Sequence, residues 1–196
     1  MSHYYALVLF VFSLISLRAE AKVGGPYAPV IQLGYSFYSG EEESSLSGST
    51  GYSLFLRAEG RKGLIRPDFG IRLHMSSGKG YFDSSKVSYS MFEGDFVPGL
   101  QVFPFQEGRW LPYVGVFGVV GWTKFNIPNP PAAAFEKNSS GFAYGYMLST
   151  GVDLNFGGGD ANTIRIETDF ISVSTSPGTV GTVALPQFMF SIGFAM

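Results

Sequence analysis

Between Val30 and Met196, bulky apolar residues alternate with small or polar ones in eight segments. A period of two sends successive side chains to opposite faces of an extended strand. The clearest segment is Gly141 to Phe156. Its even positions are Phe142, Tyr144, Tyr146, Leu148, Thr150, Val152, Leu154 and Phe156; its odd positions are Gly141, Ala143, Gly145, Met147, Ser149, Gly151, Asp153 and Asn155. A third segment sets Ile65, Phe69, Ile71, Leu73 and Met75 against Arg66, Asp68, Gly70, Arg72 and His74. A seventh sets Ile164, Ile166 and Phe170 against Arg165, Glu167 and Asp169, and the last opposes Phe188, Phe190, Ile192 and Phe194 to Met189, Ser191, Gly193 and Ala195. The first two follow suit, with Gln32, Gly34 and Ser36 on one small or polar face and Ser53, Arg57 and Glu59 on another. The fourth, Val87 to Phe103, fits only with Glu93 and Asp95 on one face and Phe92, Phe96, Leu100 and Val102 on the other. Its earlier half is out of phase, so a bulge is expected near Met91. The fifth, Leu111 to Lys124, is apolar on both faces and has no clear phase.

The connections between segments differ in length. Short Gly-rich turns are expected at Gly60–Gly63, Gln106–Arg109 and Gly157–Asp160. Long polar connections are expected at Gly40–Thr50, Ser76–Ser85, Phe125–Ser140 and Ser174–Ala184. Short turns at one end and long loops at the other are the habit of up-and-down membrane barrels.

One run could be mistaken for a membrane helix. Ala6 to Leu17 is apolar but too short to span, and Ala19-Glu20-Ala21 after it fits a signal-peptidase site. Residues 1–21 are therefore expected to be a signal peptide cleaved after Ala21, although the first five residues carry no Lys or Arg. Residues 22–196 then form a single domain, an all-β, eight-stranded antiparallel barrel.

Composition narrows the setting. Charged residues make up 14% of the 196, against roughly 25% in soluble proteins. The absence of Cys removes disulfides, thiolate metal sites and Cys nucleophiles, and a formal charge of −2 gives no basic footprint for nucleic acid. Alternation alone also suits a soluble, lipocalin-like barrel. The distribution of charge favours lipid. Arg57, Glu59, Arg66, Asp68, Arg72, Glu93, Asp95, Asp153, Arg165, Glu167 and Asp169 share one face with His74. The other face carries Phe142, Tyr144, Tyr146, Phe156, Phe170, Phe188, Phe190 and Phe194. Eight strands leave room only for side chains, and small residues such as Gly70 and Gly145 suit that interior better than stacked rings. The greasy face therefore turns outward. Tyr52, Tyr89, Trp122, Tyr144 and Tyr146 are expected to form one interfacial girdle, and Phe103, Trp110, Phe156 and Phe188 the other.

Pro112-Tyr113-Val114-Gly115-Val116-Phe117-Gly118, Gly151-Val152-Asp153-Leu154 and the alternating Phe-rich C-terminus resemble the eight-stranded outer-membrane barrels of the OmpA-like transmembrane-domain family. The resemblance implies location in the bacterial outer membrane, contact with its lipids and insertion by the barrel-assembly machinery. It also implies loops available to a surface ligand. Met196 departs from the terminal aromatic usual in that family.

Little points to chemistry. His74, in Arg72-Leu73-His74-Met75-Ser76, resembles the His-x-Ser of outer-membrane lipid A deacylases, but no acid accompanies it and its face is inward. One histidine after residue 21 argues against a transition-metal site. Glu41-Glu42-Glu43 reads as a solvated loop tip, or as a divalent-cation bridge to surface lipids. Gly157–Asp160 is a turn rather than a calcium repeat, and Asn138-Ser139-Ser140 is a glycosylation sequon without meaning in a bacterial outer-membrane protein. No catalytic residue, cofactor or metal is expected. Four interior arginines face seven acids, so they are expected to interlock as a lumen plug, with a narrow pore as the alternative. Along one face, Arg66 and Arg72 are expected to pair with Asp68 between them and with Glu59 on the neighbouring strand.

Overall fold

The computed structural model describes residues 27–38, 49–82, 85–129, 138–156, 163–176 and 183–195, with the backbone alone at 80–82, 85–86 and 183. Ala19, Ala21, Glu41–Glu43, Gly157–Asp160 and Met196 lie outside these residues. Eight strands follow one another: β1 Tyr27–Tyr38, β2 Thr50–Gly60, β3 Ile65–Phe82, β4 Ser85–Val102, β5 Trp110–Asn126, β6 Asn138–Asn155, β7 Thr163–Thr175 and β8 Val183–Ala195. Each pairs antiparallel with the next, and β8 pairs with β1 to close the barrel. Closure leaves no strand edge unpaired, which is what a sheet needs in hydrocarbon.

The register fixes the stagger. A walk across hydrogen-bonded partners from Ala28 passes Glu59, Asp68, Gly99, Phe117, Met147, Ile171 and Gln187, then returns to β1 at Tyr38, ten residues further on. Strands with such a stagger must tilt steeply, about 35–45° from the barrel axis.

Inward and outward positions alternate along all eight strands, with Leu54 on β2 covered although its face is the outer one. Even-numbered outward positions in β5 and β6 expose Val116, Val120, Trp122, Phe142, Tyr144, Tyr146 and Leu148, and those of β8 expose Phe190, Ile192 and Phe194. A belt this apolar has no counterpart on a soluble monomer of this size; its solvent is lipid. The β2–β3 turn uses Gly63 at φ 106°, and the β4–β5 turn uses Gly108 at φ 136°. A Cβ is rarely accommodated at either angle.

Several expectations are corrected. The β3–β4 pairing runs without a break from Ile65↔Val102 to Phe82↔Ser85, so there is no bulge at Met91. Tyr89 and Met91 face inward instead, in phase with Glu93 and Asp95. Ser76–Ser85 is strand almost throughout rather than a long loop. The only gap in the β4–β5 ladder falls at Val97 and Pro98, the latter having no N–H to give. Tyr89 and Phe103 are buried and belong to neither girdle, while Phe188 stacks on Phe37 towards the end opposite the short turns. The fifth segment resolves with Tyr113, Phe117, Val119 and Thr123 inward.

Candidate functional site in the barrel interior

The twelve charged or imidazole side chains of the inward face all lie inside the barrel, none more than 8% exposed. They do not form one network. Two separate sets occupy different heights, and none of the ion pairs joins them.

The first lies towards the short turns. Arg57 on β2 is its hub. Its Nε donates to Asp68 Oδ2 at 3.0 Å and its Nη2 pairs with the same oxygen. Its Nη1 reaches Glu167 at 2.7 and 2.9 Å and Gln32 Oε1 at 2.8 Å. Glu167 also accepts from the Tyr113 hydroxyl and from Gln32 Nε2 at 3.1 Å, and that amide donates to Ser191 Oγ at 3.2 Å. Arg165 grips Asp153 through two bonds of 2.7 Å, reaches Glu59 Oε2 at 2.5 Å and lies 4.6 Å over the Tyr113 ring. Two parallel bonds from one guanidinium are the strongest form of this pairing. Asp169 takes the Ser149 hydroxyl.

Arg66 sits at the mouth of this set. It meets Glu59 Oε1 at 3.2 Å and the Gly63 carbonyl at 3.3 Å, and its guanidinium covers the Phe103 ring at 3.8 Å. The expected same-face pairing is corrected here: Asp68 serves Arg57 rather than Arg66 or Arg72. The stagger of the strands brings β2 and β7 side chains together across the lumen, which neighbour-by-neighbour reading of one face cannot show.

The second set lies further from the short turns. Arg72 on β3 holds Asp95 Oδ2 at 2.9 Å through Nε and 2.6 Å through Nη2, and Glu93 Oε1 at 2.5 Å. His74, one inward step along β3, is wholly buried. Its Nδ1 lies 2.8 Å from Ser53 Oγ and its Nε2 lies 3.1 Å from the Tyr38 hydroxyl, which in turn is 3.4 Å from Ser76 Oγ. Both ring nitrogens are thus occupied by hydroxyls, and no carboxylate bonds to either.

Between the sets lies an apolar layer that the sequence pattern did not reveal. Phe55, Val97, Phe117, Val119, Ala143, Met147, Ile171, Val173 and Met189 pack together, each at most 2% exposed. The Arg57 guanidinium marks its lower boundary, 4.8 Å from the Phe55 ring and 5.1 Å from that of Phe117. Glycines make room for it. A Cβ on Gly99 would stand 2.2 Å from Phe117, and one on Gly34 would stand 2.7 Å from Met189 Sδ. A second apolar cluster, Tyr38, Tyr89, Met91, Phe125, Ile127 and Leu185, fills the interior beyond Arg72. The signal available in the sequence was Phe55, which stands among Ser53, Arg57 and Glu59 on the charged face.

At the short-turn mouth, Glu59, Arg61, Arg66, Glu107 and Asp153 line a recess of about 310 Å³. Among the described residues, no group of three or more His, Asp or Glu side chains is arranged to hold a metal ion.

No family model matches the chain, and no curated protein sequence does. Solved structures do. Neisserial surface protein A superposes with a TM-score of 0.57 at 13% identity, covering 88% of this chain and 97% of that one. Ail, the attachment invasion locus protein of Yersinia pestis, gives 0.43 at 12% identity over 87% of this chain and 97% of its own. A major outer membrane protein of Thermus thermophilus gives 0.41 at 10% over 88% and 100%. The latter two superpose too loosely to support any argument. The first shows the fold: this chain is an eight-stranded barrel of the outer-membrane type.

Proposed function

We propose that the protein resides in the bacterial outer membrane as a non-conducting barrel, with its short turns in the periplasm and its other connections at the cell surface. The apolar layer between the two charged sets carries this reading. An ion crossing the lumen would have to leave Arg57 and its acids, pass Phe55, Phe117 and Met147 without a polar partner, and re-enter solvation at Arg72. Desolvating a charge that way costs many times the thermal energy. In this reading the lumen charges lock strands together, and interaction with a partner is left to the surface connections. The lipid belt supports contact with outer-membrane lipids, and insertion would use the barrel-assembly machinery.

Refolded protein in planar bilayers tests the proposal. The expected record is flat at physiological voltages. Reproducible unitary steps would overturn it in favour of a narrow pore.

The same reading gives the protein no enzymatic role. His74 faces the lumen, away from lipid, with hydroxyls on both nitrogens and no acid to orient it, so it lacks the carboxylate of an acyl-transfer triad. Lipid A from cells overexpressing the wild type is expected to match that from cells overexpressing His74→Ala. A deacylated species present only with the wild type would refute it.

A further inference from the structure

Charge is rare on the outside of this barrel, and it is not scattered. Among the described side chains of the eight strands, only Lys79 and Lys124 are charged and face outward; the acids and arginines of the strands turn into the lumen. Both lysines stand at the end away from the short turns, where one side of the wall is taller than the other. Strands β3 to β6 run for 17 or 18 residues and the other four for 11 to 13. Lys79 lies across from Ser88 on β4, and Lys124 across from Phe92, four residues along the same strand. At ordinary strand spacing and rise, the two lysine Cα atoms are about 16 Å apart. The outward row between theirs holds Ser77 and Ser90, both exposed, and exposed Ser140 on β6 flanks Lys124. Neither lysine is paired with an acid among the described residues. Directly below, towards mid-barrel, the same four strands expose Met75, Phe92, Trp122 and Phe142.

An apolar belt ending in aromatic rings, then cations among hydroxyls, follows the order of a lipid from its chains to its headgroup. Unpaired ammonium groups at that level attract anionic headgroups, and lysine binds phosphate as a point charge. Phosphate alone leaves the serines unused, whereas a sugar offers hydroxyls to each of them. Two cations well separated on one face suit a headgroup with a phosphate at either end. We propose that Lys79 and Lys124, with Ser77, Ser88 and Ser90 between them, bind the headgroup of a phosphorylated glycolipid of the outer leaflet, one phosphate to each lysine. The proposal rests on the orientation given above, which puts this end at the cell surface, and not on the closed lumen.

The chain has two tryptophans, and Trp110→Phe leaves Trp122, one outward step from Lys124, as the reporter. The full chain with that change is refolded in a zwitterionic detergent and titrated with bisphosphorylated lipid A. The Trp122 emission should shift and saturate. Adding Lys79→Gln and Lys124→Gln together should raise the half-saturating concentration about 30-fold, with the heat-dependent gel shift confirming an intact barrel. Lys62→Gln, in the β2–β3 turn, should leave that concentration unchanged. Dephosphorylated lipid A should bind the parent as weakly as lipid A binds the double variant, and inorganic phosphate alone should leave the emission where it is. Equal lipid A binding by parent and double variant overturns the proposal, as does a full shift with inorganic phosphate. So does phosphatidylglycerol binding as tightly as lipid A, since the sugar would then contribute nothing. Micelles have no sidedness, so these results judge the site alone. A tag in the β2–β3 turn that reacts on intact cells would overturn the orientation, and the outer-leaflet assignment with it.

Discussion

The two charged sets inside the barrel use the same residue types to different ends. Around Arg57 and Arg165 each guanidinium spans two carboxylates on different strands, and Gln32, Tyr113 and Ser191 extend the bonding to further strands. Around Arg72 one guanidinium serves two carboxylates that stand on a single neighbouring strand. The first set joins seven strands, all but β4, whereas Arg72 with its acids joins β3 to β4 alone. Charge buried in a lumen can thus tie distant strands together, or it can stay local. The difference lies in how many strands supply partners, not in how many charges are present.

Four substitutions probe that contrast. Arg57→Ala should be the most damaging, because it strands Asp68 and Glu167 together out of water. Breaking one side of a buried pair costs about 3–5 kcal/mol, to be read from urea unfolding in lipid or detergent. Phe117→Ala should cost about 3 kcal/mol by leaving a cavity above Gly99 and Gly115. It should also thin the layer between the sets, so that bilayer recordings show conductance absent from the wild type. Arg72→Ala should cost less than Arg57→Ala, about 3 kcal/mol, since both its acids stand on one neighbouring strand and no distant strand loses a partner. Equal losses for the two arginines would erase the distinction drawn here. Arg66→Ala should be mildest, at about 1 kcal/mol. It removes a single 3.2 Å pair and a cation–ring contact at the mouth, and conductance should stay unchanged, as in the outward control Leu73→Ala.

The strands and their faces were legible because a two-residue period survives wherever one face meets lipid and the other a narrow lumen. It failed where that contrast lapses. Leu111 to Lys124 reads as apolar on both sides because Phe117 and Val119 cross the lumen at the height where Val116 and Val120 meet hydrocarbon. Tyr89 and Met91 looked out of phase because large apolar side chains close the interior there, where polar ones were expected. Partner choice was less accessible still. Arg57 and Glu167 stand 110 positions apart and meet only through the ten-residue stagger of the closed sheet. No local spacing encodes that. Around Arg66 the cross-strand pair with Glu59 was legible, but Asp68 turns to Arg57, since same-face proximity on β3 ranks below contact with the neighbouring strand.

The seam between β1 and β8 has a consequence for the order in which the barrel is made. Gln32 on β1 bonds to Ser191 on β8 and Glu167 on β7, so the chain's two ends contribute to the same polar cluster. A chain with only β1 to β4 in place offers Arg57 one acid, Asp68. Its second arrives with β7, and the amide that completes Glu167 comes into place as β1 meets β8. Most contacts in this set are therefore long-range and form late, which slows folding when loop closure must precede reward. An unfinished barrel holds a half-paired guanidinium in its wall, and joining the first strand to the last relieves it. The seam is thereby favoured over any shorter circle of strands.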